Sequence, residues 1–195
     1  TGVGGGIIIN SRLFTGANEG GGIIGHMCIV RGGELCTCGR RGCLEAYASA
    51  TALIREMART AQRLPDSQLA TLYRAQGATP DVRIVFDCAQ EGDTVDRQIV
   101  GTYIGSLGEG IVNLINIFRP DKVLVSGGIC NQGNRLMEPL NAFVQAHCFA
   151  GAQLVIPPVE RAVLGNDAGI IGAASHLRKT LDTAQNTASP LMQRL

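Results

Sequence analysis

The sequence lacks an excess of charge of either sign. It holds 17 lysine and arginine residues against 16 aspartate and glutamate residues, for a formal net charge of +1. A surface that binds nucleic acid through its phosphates usually has a clear basic surplus, and a long acidic tail gives the opposite imbalance. The balance found here favours neither a nucleic-acid-binding surface nor an acidic tail.

The sequence also lacks long apolar runs. No stretch approaches the roughly 20 apolar residues that a membrane-spanning helix needs. The chain does not open with a charged segment, an apolar core and a cleavage site, which together mark a secretory signal. We therefore expect a cytoplasmic protein with no membrane partner.

An initiating methionine is absent as well. The opening TGVGGG leads directly into the β-branched run IIIN, with no earlier element for this strand to pair with. We therefore expect Thr1 to lie inside a longer protein. The 195 residues, 45% of them hydrophobic, suit one domain or one lobe of a larger protein.

Hydrophobic periodicity predicts an α/β layout, in which a hairpin precedes alternating helices and buried strands. The hairpin combines a buried strand over Gly6–Asn10, a turn at Asn10 and Ser11, and a second strand at Leu13 and Phe14. Residues 15–25 form a loop. Further helices and strands are predicted as follows: helices over Leu44–Arg59, Pro65–Ala75, Asp81–Gln90, Thr94–Phe118, Asn134–His147 and Asn166–Lys179, and strands over Lys122–Ile129 and Ala152–Pro158. The polar tail from Thr180 is expected to fray.

One histidine and three cysteines, His26, Cys36, Cys38 and Cys43, have the spacing of a metal site. Four such ligands complete the tetrahedral shell of zinc with no open position, which favours a structural over a catalytic metal. Disulfides and unliganded thiols are the alternatives. An odd total of seven cysteines and the poor geometry of a pair two residues apart weigh against disulfides. The remaining cysteines, Cys28, Cys88, Cys130 and Cys148, are interpreted as small buried hydrophobic residues.

Two glycine-rich segments flank predicted strands. TGVGGG precedes the first, and VSGGI ends the strand at Lys122–Ile129. Consecutive backbone N–H groups in such segments can cradle an anion, although each segment alone is more often a simple turn.

Several motifs together resemble the ROK family of bacterial sugar kinases, typified by glucokinase, and sugar-responsive transcriptional repressors. They are GANEGGGIIGHM, CTCGRRGCLEAYAS, PDKVLVSGGI and NDAGIIGAA. The resemblance implies an actin-like, ribonuclease H-like fold of two lobes. Residues 1–178 would form the second, larger lobe with a structural zinc loop, residues 179–195 a flexible tail, and the first lobe would precede Thr1.

The resemblance also implies roles for individual residues. His26, Cys36, Cys38 and Cys43 would bind zinc, and Glu45 and His26 would contact the sugar. Thr1, Gly2 and Gly4 would face the phosphates of ATP, bound with magnesium, while Gly127 and Gly128 would lie near the nucleoside. On the residues alone, the favoured interpretation of Glu45 is an exposed acid in the first turn of a helix, stabilised by the helix dipole.

Two departures from the family pattern affect the expected function. Ile23 stands where the family usually has a sugar-binding glutamate, and an isoleucine cannot accept a hydrogen bond from a hydroxyl. The family's catalytic aspartate belongs to the first lobe, so no catalytic residue is assigned here; Asp121 and Asp167 are poor substitutes, since Asp167 is placed to cap a helix. We expect a sugar kinase whose second lobe alone is inactive. We also expect a homodimer, as is common for members of the ROK family. The alternatives are a repressor that binds DNA through an upstream segment, and a degenerate module without catalysis.

Overall fold

The computed structural model describes residues 2–77, 80–149, 153–165 and 167–188. Its strands are β1 (Ile8–Ile9), β2 (Arg12–Leu13), β3 (Val123–Val125) and β4 (Val159–Arg161). Its helices are α1 (Glu45–Ala48), α2 (Ala50–Arg63), α3 (Gln68–Ala75), α4 (Arg83–Glu91), α5 (Thr94–Phe118), α6 (Asn134–His147) and α7 (Asp167–Ala188). Short 3₁₀ turns cover Ala17–Glu19, Ile24–His26 and Gly128–Gln132. Among the described residues, no helix combines the length and hydropathy needed to cross a membrane.

Helix α5 is the centre of the fold. It packs against α4 and α6 and also contacts α1 and α2. Fully buried side chains from these helices form one core, which includes Leu53, Met57, Val85, Ile115, Leu136 and Leu140. The predicted bounds of α5 and α6 are confirmed. Helix α5 ends because Arg119 adopts a left-handed conformation, with φ 45°, directly before Pro120.

The α/β prediction is confirmed, although the parallel sheet of the described residues has only two strands. Strands β3 and β4 pair in parallel, with Val123 opposite Val159, and α6 connects them as a crossover helix. Both backbone groups of Val159 bond to the Asn141 side chain of α6, at 2.9 Å each, which fixes β4 against that helix.

The hairpin is confirmed, but its predicted burial is wrong. Ile8 of β1 pairs with Leu13 of β2, and the turn residues Asn10 and Ser11 both have positive φ, as a two-residue hairpin turn requires. Ile8 is 74% exposed, because β1 and β2 pair with each other and the described structure places no third layer over them.

The helix predicted over Leu44–Arg59 is two helices. Ser49 has extended backbone angles, and its hydroxyl accepts a hydrogen bond from the Ala52 amide at 3.0 Å. This cap starts α2 and ends α1 after one turn. Helix α3 likewise begins after the capping Ser67 rather than at Pro65, and α4 begins at Arg83 rather than at Asp81.

The strand predicted over Ala152–Pro158 is wrong for its described residues, 153–158. The paired strand is β4, which begins after Pro157 and Pro158, because prolines have no N–H to give to a ladder. Helix α7 continues through residues 180–188, which had been predicted as part of the frayed tail. Ala152, Asn166 and residues 189–195 lie outside the described part of the chain.

Asp96 is a buried carboxyl in the first turn of α5. Only 1% of the residue is exposed, and its Oδ1 has no hydrogen-bond partner among the described residues. Desolvation, assisted by the charge of Asp93, raises the pKa of Asp96 from 3.8 to about 6, while the Cys88 thiol opposes the shift. The folded chain therefore holds this proton more tightly than the unfolded chain.

We predict that Asp96→Asn raises the free energy of unfolding at pH 7 to 8. The contribution of Asp96 to the free energy of unfolding is greatest below about pH 4, where the carboxyl is protonated in both states, and is lost as the pH rises to about 6. For a shift of this size the loss is on the order of 3 kcal/mol. Urea unfolding of the wild type and the variant between pH 4 and 8 measures the difference. The exposed Asp66→Asn is the control and should leave the profile unchanged. An Asp96→Asn profile parallel to the wild type would show that Asp96 does not titrate in this way.

Candidate metal centre and adjoining cavities

The segment between His26 and Glu45 folds back on itself. Isolated antiparallel bridges pair Cys28 with Cys43 and Leu35 with Arg41. Within this fold the Cys36 amide donates to the Arg40 carbonyl at 2.8 Å, which closes a tight turn around Cys38. Gly39 and Gly42 have φ near +86° and +85°, a conformation that side chains disfavour, so these turns depend on glycine.

This folding brings the four predicted metal ligands together. One donor atom from each of His26, Cys36, Cys38 and Cys43 lies within 4.8 Å of the others. The Cys38 and Cys43 sulfurs are 3.7 Å apart, and the Cys36 sulfur is 3.4 Å from His26 Nδ1. A tetrahedral zinc site places two sulfurs about 3.8 Å apart and a sulfur and a nitrogen about 3.5 Å apart. The donor set therefore fits Zn²⁺ in identity, number and spacing.

Of the two alternatives for these cysteines, disulfides do not fit the geometry. All seven cysteines are free, and a 3.7 Å separation is far longer than the roughly 2.05 Å of a disulfide. Cys88, Cys130 and Cys148 are buried as predicted, whereas Cys28 is half-buried and outside the cluster.

Polar contacts connect residues 26–44, here called the metal-site loop, to α2 and α1. Glu34 forms an ion pair with Arg59 of α2, with N–O distances of 2.7 and 3.2 Å. The Glu34 amide donates to the Tyr47 hydroxyl at 2.6 Å, and Arg41 donates to the Gly33 carbonyl at 3.1 Å. The loop is thus braced from outside the cluster as well as within it.

Glu45 occupies the first position of α1 and is half-buried. Its Oε2 accepts a hydrogen bond from the Val3 amide at 3.0 Å, and its Oε1 accepts one from the Thr37 hydroxyl at 3.0 Å. The Val3 bond is the main reason that the pKa of Glu45 lies below its ordinary value. Glu45 therefore connects the N-terminal segment to the metal-site loop, which a solvated residue in a first helical turn would not do.

The Glu45 carboxylate lines one of two cavities that share Gly2 and Ser49. One, of about 280 Å³, lies between the loop and the start of α2 and is lined by Gly2, Leu35, Cys36, Thr37, Glu45, Ala46, Ser49, Thr51, Ala52 and Arg55. The other, of about 410 Å³, brings together four predicted phosphate- and nucleoside-facing glycines, Gly2, Gly4, Gly127 and Gly128. Gly2 lines both, and a side chain at Gly2 would collide with the Glu45 carboxylate.

The other candidate residues are placed as follows. His26 belongs to the metal cluster and is not part of the described lining of the 280 Å³ cavity. Ile23 is 63% exposed in the turn before His26. Thr1 lies outside the described residues.

Neither partner of Glu45, Val3 or Thr37, is predicted from the sequence. Thr37 carried a signal, since it stands between two proposed ligand cysteines and so had to lie beside the cluster. Val3 carried none, because its contribution is a backbone amide that any residue supplies.

Comparisons with known proteins show the family to which this chain belongs. The ROK family profile matches residues 1–180, and the chain belongs to the ROK family. The chain is 37% identical over 177 residues to a glucokinase of Halalkalibacterium halodurans, covering 88% of this chain and 52% of that protein. It is 30% identical over 161 residues to the DNA-binding transcriptional dual regulator NagC of Escherichia coli, covering 81% of this chain and 37% of the regulator.

The fold is also similar to a solved structure, that of a ROK family glucokinase from Streptomyces griseus in complex with glucose and AMPPNP. The TM-score is 0.80 at 31% identity, over 92% of this chain and 58% of that one. The chain therefore shares the α/β fold of a ROK sugar kinase. It spans about half the length of the glucokinases that it matches.

Proposed function

We propose that this chain is the second lobe of an actin-like, two-lobed kinase that transfers the γ-phosphoryl group of ATP to a hexose hydroxyl. Residues 1–178 form that lobe, and the first lobe belongs to the part of the relatives' length that this chain does not span. The similarity to glucokinases supports a sugar as the phosphoryl acceptor. The similarity to a glucokinase solved with glucose and AMPPNP supports ATP as the phosphoryl donor.

The observation that carries the proposal is the meeting of the two cavities at Gly2. The 280 Å³ cavity has a fixed carboxylate suited to sugar hydroxyls, because each carboxylate oxygen can accept more than one hydrogen bond. The 410 Å³ cavity has glycine segments whose backbone N–H groups suit phosphates. A phosphoryl acceptor and donor bound in these cavities would be neighbours.

The residues of this chain would act mainly by positioning. Phosphoryl transfer depends on alignment and on neutralisation of the phosphate charge, and magnesium would come with ATP. Glu45 would hold the sugar, and Gly2, Gly4, Gly127 and Gly128 would admit the nucleotide. His26, which is not in the described lining of the 280 Å³ cavity, is proposed to border the sugar on the family resemblance alone. Thr1 is proposed for the same phosphate segment on the family resemblance alone. The base that removes the hydroxyl proton is expected in the first lobe.

Zinc would have a structural part in this proposal. His26, Cys36, Cys38 and Cys43 would hold it in a closed shell, and it would stabilise the loop that contains Thr37 and leads into Glu45. The proposal also retains the homodimer expected from the family resemblance. Because Ile23 replaces a hydrogen-bond acceptor, the hexose preference should differ from that of family members with glutamate at this position.

The repressor remains the second candidate, and the similarity to NagC favours it. In that case the sugar cavity would serve as an effector site, and DNA binding would come from an upstream segment. The net charge of +1 neither supports nor excludes this alternative. A degenerate ROK module would keep the metal cluster without catalysis.

We predict that the full-length protein phosphorylates a hexose and that this chain alone does not. Loss of a general base removes about two to four orders of magnitude in rate, and loss of the facing lobe also removes closure around the substrates. A coupled ADP-release assay with ATP, magnesium and a panel of hexoses measures both proteins. Turnover by this chain alone would contradict the assignment of the base to the first lobe. A full-length protein that binds a hexose without turnover would favour the repressor or the degenerate module.

A further inference from the structure

Thr37 is the side chain that joins the metal cluster to the Glu45 carboxylate. It lies between Cys36 and Cys38, and its Oγ1 is 3.0 Å from Glu45 Oε1 and 3.9 Å from the Cys36 sulfur. A threonine hydroxyl has one proton, which goes to the nearer and better acceptor, the carboxylate oxygen. Thr37 therefore donates to Glu45.

This bond restricts how Glu45 can receive a ligand. An ionised carboxylate offers roughly four acceptor positions. The Val3 amide takes one on Oε2 and the Thr37 hydroxyl takes one on Oε1, so about two positions remain. Thr37 and Glu45 both line the 280 Å³ cavity, so their orientation is set where a ligand would bind.

A bound metal would make the Thr37 bond more important. The Cys36 thiol also approaches Glu45 Oε1, at 3.9 Å, as a weak donor. A cysteine that binds zinc does so as a thiolate and has no proton to donate. Among the described side chains with contacts to this oxygen, Thr37 would then be the remaining donor.

We propose that Thr37 is a positioning residue that orients Glu45 toward sugar hydroxyls and couples sugar affinity to the order of the metal-site loop. The proposal rests on the proposed sugar-binding function. It predicts that removal of the hydroxyl weakens sugar binding while the metal cluster stays intact, because Thr37 is exposed and its side chain is not a metal ligand.

The test compares Thr37→Val, Thr37→Ser and wild type in the full-length protein. Calorimetry gives the Kd of the hexose that the wild type binds best, kinetics give the KM for ATP, and elemental analysis gives zinc per chain. We expect Thr37→Val to raise the hexose Kd by about 5- to 30-fold, without changing the KM for ATP or the metal content. This is less than the roughly 10- to 150-fold of a direct hydrogen bond to a charged group, because Thr37 acts through Glu45. Thr37→Ser should restore the wild-type Kd. Thr71→Val, at an exposed threonine of α3, is the matched control and should change nothing.

Each other outcome has a definite meaning. An unchanged hexose Kd in Thr37→Val would overturn the positioning role while leaving the sugar-binding function in place. Loss of zinc in Thr37→Val, with no recovery in Thr37→Ser, would assign Thr37 a structural role instead. A wild type that binds no hexose would overturn the proposed function and this inference with it.

Discussion

Replacing Cys38 with serine is expected to abolish metal binding and to lower the free energy of unfolding by about 4 kcal/mol or more, as loss of a structural metal does. The prediction is sharp because Cys38 is exposed. An exposed cysteine without a ligand role tolerates serine with almost no change in stability. Elemental analysis and urea unfolding of the purified chain measure the two effects.

Cys28→Ser is the matched control for this variant. Cys28 is more buried than Cys38 and belongs to the same loop, but its sulfur lies outside the cluster, 3.8 Å from the Arg41 carbonyl oxygen. It should keep about one zinc per chain and most of the stability. Equal losses in the two variants would show that the choice of ligands is wrong.

Replacing Glu45 with glutamine is expected to lower kcat/KM for the hexose by about 100-fold in the full-length protein, with the zinc content unchanged. The size follows from the loss of hydrogen bonds between a charged acceptor and sugar hydroxyls. The amide would also turn an N–H group toward either Val3 or Thr37, both of which donate to the carboxylate now. Steady-state kinetics at saturating ATP measure the effect.

Glu34→Gln controls for removal of an acid from the same loop. Glu34 pairs with Arg59 on the outside of α2 and does not line the 280 Å³ cavity. Loss of the Glu34–Arg59 ion pair should lower the free energy of unfolding by no more than about 1 kcal/mol, as for an exposed ion pair. The hexose KM should be unchanged. A Glu45→Gln protein with wild-type hexose kinetics would remove Glu45 from the sugar site.

Elements with strong local signals were predicted well from the sequence. Helices α5 and α6 have long apolar stripes and clear ends, such as Pro120, and their predicted bounds are confirmed. The convergence of the four candidate ligands also followed from spacing, because cysteines two and five residues apart around glycines can reach one point.

Features that depend on side-chain competition or on tertiary packing were not predicted. The Ala52 amide donates to the Ser49 hydroxyl, and this cap divides a continuous helical pattern into two helices. The apolar run Leu154–Ile156 looks like a buried strand, yet the ladder with β3 forms only beyond the prolines. The contacts of Glu45 join residues 3, 37 and 45, and no local pattern indicates that such distant positions meet.

We propose that the cluster of His26, Cys36, Cys38 and Cys43 binds zinc and thereby organises a sugar site around Glu45. The most direct measurement determines zinc content and hexose affinity on the same full-length sample, before chelation, after chelation and after zinc is restored. We predict about one zinc per chain, weaker hexose binding once it is removed, and recovery when it is returned. Full hexose affinity in a folded, metal-free protein would contradict the claim.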